Sequence, residues 1–293
     1  MFDHLHRGQW WDIGLDLVTG CTPISPACEN CWSAARTYRA GCQKNPKIRA
    51  RYAGLTTKAP GRPARFTGEV RPQWQDLDKI GAARKPQAYT FWNDLFNESI
   101  PFELDLIGNE ESFIDAVLVK ILTRPQHFYI ICTKRPERAL KYFLSRQSDV
   151  ENWPGARKIL ATRLMLMTTM ETQAQERRVA DLLQIPGVLH GVSLEPLLGE
   201  INISHFLGVN MLGGRPAGID WVIAGGETGP YARPTHPDWF RRVRDDCLDA
   251  SVPLFLKSWG KHQPEDQWRP RLDSHNIHRL LDGRAWNGVP QIP

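Results

Sequence analysis

Short apolar runs alternate along this chain with segments whose apolar residues recur at helical spacing. Seven runs read as strands: Ile13–Val18, Ala88–Trp92, Phe128–Cys132, Leu164–Thr168, Val188–Leu194, Trp221–Gly225 and Pro253–Lys257. They carry little polar character on either face, as strands covered on both sides require. Helical periods fill the gaps. Glu111–Leu122 sets Phe113, Val117, Leu118 and Ile121 on one side, and Pro136–Leu144 opens with proline at a first-turn position. Thr172–Leu183 gathers Val179, Leu182 and Leu183, and His236–Asp249 spaces Phe240, Val243 and Cys247 likewise. Strand–helix alternation predicts βαβ units around a parallel sheet. Seven strands predict an α/β chain that forms a partial or full (β/α) barrel, one domain over residues 1–293. Two stretches break the pattern. Residues 40–86, rich in proline, glycine and basic side chains, read as an insertion after the first helix, and residues 262–293 read as a polar C-terminal tail.

Each run gives way to polar residues. A cysteine loop succeeds the first, Asn93 and Asp94 the second, and Thr133, Lys134 and Arg135 the third. Thr169 and Glu171 come after the fourth, Glu195 after the fifth, Gly226 and Glu227 after the sixth, and Lys257 ends the seventh. In a parallel barrel all these positions lie at the C-terminal face, where sites are built. One shared site is therefore expected.

No run approaches the roughly 18 apolar residues of a membrane-spanning helix. The opening Met-Phe-Asp-His-Leu-His has no basic stretch followed by an apolar one, so a secretory leader is not expected. That predicts a cytoplasmic protein with no membrane partner (host cytoplasm, if a phage encodes it), in which thiols stay reduced. Clustered cysteines then point to a metal centre rather than to disulfides. The net charge of +5 is uneven: eight Lys and Arg fall between Lys44 and Arg71 against the single acid Glu69, with Tyr52 and Phe66 interleaved. Such a stretch suits a nucleic-acid backbone with stacked bases, or is simply a solvated loop.

The cysteine loop is Cys21-x6-Cys28-x2-Cys31. Three thiolates can hold one metal centre and leave a coordination position open. Zinc would need a fourth ligand such as Cys42, His4 or His6. A 4Fe–4S cluster held by three cysteines keeps one iron free, which suits S-adenosylmethionine (SAM). The remaining cysteines read otherwise: Cys132 and Cys247 as core thiols, Cys42 as a bystander.

Several motifs occur in order: Val18-Thr-Gly-Cys, Ser25-Pro-Ala-Cys-Glu-Asn-Cys-Trp32, Asn93-Asp-Leu-Phe, Thr133-Lys-Arg-Pro-Glu-Arg138, Val192-Ser-Leu-Glu-Pro-Leu-Leu-Gly199, Asp220-Trp-Val-Ile-Ala-Gly-Gly-Glu-Thr-Gly229 and Leu256-Lys-Ser-Trp-Gly260. Together they cover nearly the whole chain. The set resembles the phage and bacterial three-Cys-motif family, which is similar to a divergent branch of the radical SAM superfamily. The resemblance implies a radical SAM-type partial barrel with the cluster loop after the first strand, SAM at the strand ends, and a reducing electron donor that generates a 5′-deoxyadenosyl radical. The chain departs from the superfamily pattern in its longer first gap, and in Asn30 standing where an aromatic residue usually precedes the last cysteine.

By this resemblance Cys21, Cys28 and Cys31 match the cluster ligands. Asn93, Asp94, Glu171, Gly225 and Gly226 fall at cofactor-binding positions, and Glu195, Glu227 and Lys257 at catalytic ones. Lys134 and Arg135 would bind an anionic group of the substrate. The implied substrate is nucleic acid, with DNA favoured, or a nucleotide. In phages, proteins resembling this one accompany thymidine hypermodification, where such an isomerase would convert a nitrogen-linked glycine on the thymine methyl into a carbon-linked one. The alternative is a zinc-stabilised nucleic-acid-binding protein without catalysis.

Overall fold

The computed structural model describes residues 1–102, 112–207, 210–212, 215–265 and 279–292. Seven strands form one parallel sheet in the order of the chain: β1 (Ile13–Leu15), β2 (Ala88–Phe91), β3 (Phe128–Thr133), β4 (Leu164–Thr169), β5 (Leu189–Leu194), β6 (Trp221–Gly225) and β7 (Leu254–Ser258). Every pairing is parallel and joins neighbours in this series. The sheet curls into a half-barrel, with β1 and β7 as its two edges. Its principal helices are α1 (Trp32–Gly41), α2 (Pro46–Tyr52), α3 (Phe113–Leu122), α4 (Pro136–Ser145), α5 (Ala156–Arg163), α6 (Glu176–Leu183) and α7 (Pro237–Asp249). Among the described residues no helix is long and apolar enough to cross a membrane.

Side chains alternate across a strand, so each apolar run splits into two cores. Tyr89, Tyr129, Leu166, Val192, Val222 and Leu256 pack outward with Ile121 of α3, Tyr142 of α4, Leu182 of α6 and Val243 of α7. Ala88, Phe128, Ile130, Met165, Met167, Trp221, Ile223 and Phe255 form a second, inner core. Phe2 and Trp10 join it: Phe2 meets Phe128 and Trp221 edge-on at 5.9 and 5.7 Å, and Trp10 meets Trp221 at 6.0 Å. Two residues further along each strand the same alternation brings Thr90, Cys132, Thr169, Ser193 and Lys257 inward. The half-barrel is thus apolar inside at one end and polar at its C-terminal end.

Six of the seven predicted strands lie within one residue of expectation at either end. The first does not. β1 ends at Leu15, and Val18–Gly20 instead pairs antiparallel with Val70–Pro72. Asp16 causes the break: its carboxylate binds Arg36 at 2.7 Å and accepts from Tyr52 Oη, while its carbonyl accepts from Arg51. The predicted helix start at Glu111 lies outside the described residues, and α3 opens after Ser112, whose hydroxyl accepts from the Asp115 amide. The segment read as Thr172–Leu183 begins with a short 3-10 turn capped by Thr172 and Gln175 before α6.

Residues 40–86 fold back onto the barrel through α2, the hairpin Thr56–Thr57/Arg65–Phe66 and Val70–Pro72. Two of the eight basic residues serve this folding. Arg51 pairs with Asp76, and Arg71 binds Glu69 at 2.6 Å and the Ala53 carbonyl at 3.2 Å. Lys44, Lys47, Arg49, Lys58, Arg62 and Arg65 remain exposed. Of the tail, residues 266–278 lie outside the described residues. Beyond them the buried Arg279 donates to the carbonyls of Leu5 (2.8 Å) and Lys257 (2.9 Å), tying tail, N-terminus and β7 together. Trp286 and Gly288 bond to the backbone of Leu256 and Leu254, which covers the free edge of β7.

Candidate functional site

A cavity of about 240 Å³ opens at the C-terminal end of the half-barrel. Cys21, Cys28 and Cys31 all line it, opposite the inward polar residues of the strands. The loop that carries them leaves the sheet through Gly20, whose φ is +84°. A Cβ there would stand 2.0 Å from the Glu69 carbonyl, so only glycine lets the chain pass.

Five tethers fix the loop to the strand ends. Arg135 Nη2 donates to the Thr22 carbonyl at 3.0 Å, and Ser25 Oγ donates to Glu171 at 2.9 Å. Arg233 Nη2 donates to the Pro26 carbonyl at 3.0 Å, and Asn30 Nδ2 donates to Glu227 at 3.1 Å. Ser33 Oγ, at the start of α1, donates to Asn93 Oδ1 at 2.6 Å, while Asn93 Nδ2 donates to the Val18 carbonyl. Asn93 does this from φ +64°, a left-handed conformation that asparagine tolerates better than most residues.

The expected site residues divide on this geometry. Asn93, Asp94, Lys134, Glu195, Gly226, Glu227 and Lys257 line the cavity together with the three cysteines, whereas Arg135, Glu171 and Gly225 do not. Arg135 is 1% exposed and lies between Asp94 at 2.8 Å and Glu98 at 2.6 Å, beneath the loop rather than facing a ligand. Glu171 is fully buried among Ser25, Lys134, Thr169 and Arg178. Gly225 makes room for Glu195, because a Cβ there would stand 3.1 Å from its carboxylate. A Cβ on Gly226 would stand 2.0 Å from the Trp259 carbonyl, so this glycine brings the ends of β6 and β7 together.

Glu195 is the carboxylate most open to a ligand. It accepts from Ser193 Oγ at 3.1 Å and pairs with Lys257 Nζ at 2.8 Å, both partners lining the cavity. Lys134 Nζ donates to Thr169 Oγ1 at 2.7 Å and to Glu171. Glu227 is clasped by the backbone N–H and guanidinium of Arg233 in addition to Asn30.

Burial and the Asp94 charge push the Cys21 thiol up to about 12, against the opposing pull of Arg135. Burial also raises Cys31, although backbone N–H groups at the start of α1 oppose it. At neutral pH these two remain thiols until a cation takes the place of the proton. For Glu171, burial works upward, but Lys134 and Arg178 outweigh it and hold the carboxyl below its usual range. Glu227 is held low in the same way, with Arg233 and Asn30 overcoming burial.

Cys132, expected as a core thiol, packs half-buried against the inner core and also lines the cavity, with burial pushing it up to about 12. The two-residue step from Phe128 and Ile130 was the signal for it. Phe66, marked in the sequence only as an aromatic within the basic run, lines the cavity with Trp10 and Trp11, while Arg233 holds the lining Glu227 and Arg178 the buried Glu171 beside it; no sequence pattern marks the two tryptophans or the two arginines. All six cysteines are free of disulfides, and Cys42 is exposed at the end of α1. Among the described residues no group of three His, Cys, Asp or Glu side chains converges as ligands do around a single ion.

No curated protein and no solved structure matches the chain. A family profile does, described as a protein of unknown function (DUF5131), and the match runs over residues 7–290. With nearly the full length aligned to it, the chain belongs to the DUF5131 family.

Proposed function

We propose that the protein is a radical SAM enzyme acting on a nucleic-acid-linked or nucleotide substrate. The observation that carries this reading is the shared cavity: three thiols from one loop face the inward polar residues of a parallel half-barrel at its C-terminal end. The donor set fits an iron–sulfur cluster, because soft thiolates are the ligands such clusters take. Cys21, Cys28 and Cys31 would hold a 4Fe–4S cluster. With SAM bound, that cluster supplies reductive cleavage of the sulfonium and hydrogen-atom abstraction from the substrate, with electrons from an external donor.

The chain's own residues give that chemistry its setting. Arg135, Glu171, Asn93 and the Glu227–Arg233 clasp fix the loop at five points, so the thiols are held before any ligand arrives. Trp10 and the inner core beneath the cavity keep water from entering from below. Glu195 and Lys257 offer a carboxylate and an ammonium side by side, a pair that an amino-acid group can bind by exchanging partners. This suits the glycine-bearing thymidine of phage DNA hypermodification, for which isomerisation is the reaction we propose. Exposed Arg and Lys of the insertion supply the positive rim a polyphosphate chain needs.

Anaerobic reconstitution with iron and sulfide tests the reading. We expect about four iron and four sulfide per chain, with Cys28→Ala losing most of both. A colourless protein holding one zinc through Cys42 would instead favour a zinc-stabilised nucleic-acid binder.

A further inference from the structure

Beside the cysteine cavity lies a second, larger concavity of about 590 Å³. One wall is the tip of the insertion hairpin, with Arg62 and Arg65. The other is the cysteine loop at Glu29 and Asn30, together with Tyr231. Two features join it to the cavity. Asn30 lines both, and the hairpin strand divides them by alternation: Phe66 is buried against the cavity while the adjacent Arg65 is exposed on the groove side.

The charges in this groove are unequally spent. Glu29 lies 3.4 Å from Arg233, but Arg233 is committed to Glu227, so Glu29 stands as one carboxylate against the two arginines of the groove. Among the described residues neither Arg62 nor Arg65 has a carboxylate partner, whereas Arg51 and Arg71 of the same basic run are consumed by internal contacts. Two guanidiniums against one carboxylate leave the concavity net positive, which favours an anion, and their planar forks suit phosphate oxygens. Tyr231 is 38% exposed yet set on a fixed support: Asn30 donates to its carbonyl at 2.8 Å, and Lys261 donates to the Pro230 carbonyl at 2.9 Å. An open ring on a tethered backbone, beside two arginines without carboxylate partners among the described residues, is the pairing that single-stranded nucleic acid uses, stacking on one and neutralising phosphates on the other.

We infer that this groove holds a single nucleic-acid strand, with Arg62 and Arg65 on its phosphates and Tyr231 against a base, so that a neighbouring nucleotide reaches the cavity past Asn30. The inference rests on the nucleic-acid reading of the substrate and names where the strand lies. A duplex would have to release the target nucleotide from its stack to use this path, which favours single-stranded or locally opened substrate.

The test is fluorescence anisotropy of the full chain with a labelled single-stranded DNA of about 12 nucleotides, a length within the range of known strand grooves. Arg62→Ala/Arg65→Ala is expected to weaken binding at least about tenfold and to lower the salt slope by roughly 1.4, two phosphate contacts' worth. Tyr231→Ala should weaken it about fivefold or more, while Tyr231→Phe keeps the stack and binds as the parent does. Lys44→Ala/Lys47→Ala, equally basic but outside the groove, should change little. Unchanged affinity in the arginine pair overturns the inference, as does an equal loss from the lysine pair. Competition by inorganic tripolyphosphate as strong as by unlabelled oligonucleotide would reduce the groove to a site for free phosphates. The readout does not need a loaded cofactor. Groove-dependent binding without any SAM cleavage would leave the groove standing and remove the radical chemistry; SAM cleavage with binding indifferent to Arg62 and Arg65 would do the reverse.

Discussion

Glu227 joins the end of β6 to the cysteine loop through one carboxylate. Asn30 and Arg233 both bind it, and Arg233 reaches on to the Pro26 carbonyl. Burial alone would raise its pKa, but these donors more than offset burial and lower it from the ordinary 4.5. A carboxyl whose folded value is depressed contributes stability that is complete above its unfolded value and is lost as pH falls through the folded one. Glu171 shares this sign. The protein should therefore lose stability as pH drops below 4.5, and Glu227→Gln should lose less over that interval while starting lower at pH 7. Urea midpoints across the acid range decide it. A variant with the same acid slope as the parent would show that Glu227 is not held as described.

Arg135 is the other residue on which the loop depends. It is buried against Asp94 and bonds to the Thr22 carbonyl. Arg135→Met leaves the Asp94 carboxylate without its counter-charge, at a cost of about 3–5 kcal/mol. Chemical denaturation measures this directly. A loss under about 1 kcal/mol, the range of exposed pairs, would place Arg135 on the surface instead.

Among the elements, the junction of β6 and β7 is set by backbone approach. A Cβ on Gly226 would fall 2.0 Å from the Trp259 carbonyl, whereas one on Gly61 would meet nothing within 4 Å despite a φ of +67°. Gly61→Ala should cost only the left-handed backbone strain, about 1–2 kcal/mol. Gly226→Ala, at a position without a positive φ, must instead move the strand ends apart, and should lower the thermal midpoint more and reduce iron loading as the cavity opens. Equal effects of the two changes would count against the packing described. Strands were legible at this scale because runs such as Phe128–Cys132 are apolar on both faces, and their alternation also held the inward place of Cys132. The break at Asp16 was not legible, since it depends on Arg36 and Tyr52, which fold back from later in the chain. The loop tethers were equally hidden. Ser25 meets Glu171 across 146 residues and Asn30 meets Glu227 across 197, and ordinary polar side chains paired at such distances leave no local period to read.

For the whole molecule, a parallel half-barrel brings seven strand ends to one rim, and the insertion folds beside that rim instead of forming a unit of its own. Apolar layers below and polar residues above give the cavity a closed floor and a charged mouth. The central claim is that three cysteines at this mouth hold a cluster that cleaves SAM. Its most direct test is formation of 5′-deoxyadenosine by the anaerobically reconstituted, reduced protein supplied with SAM. We predict that product from the parent chain, and none above background from Cys28→Ala. A parent protein that holds its iron and sulfide yet forms no 5′-deoxyadenosine under reduction would contradict the claim.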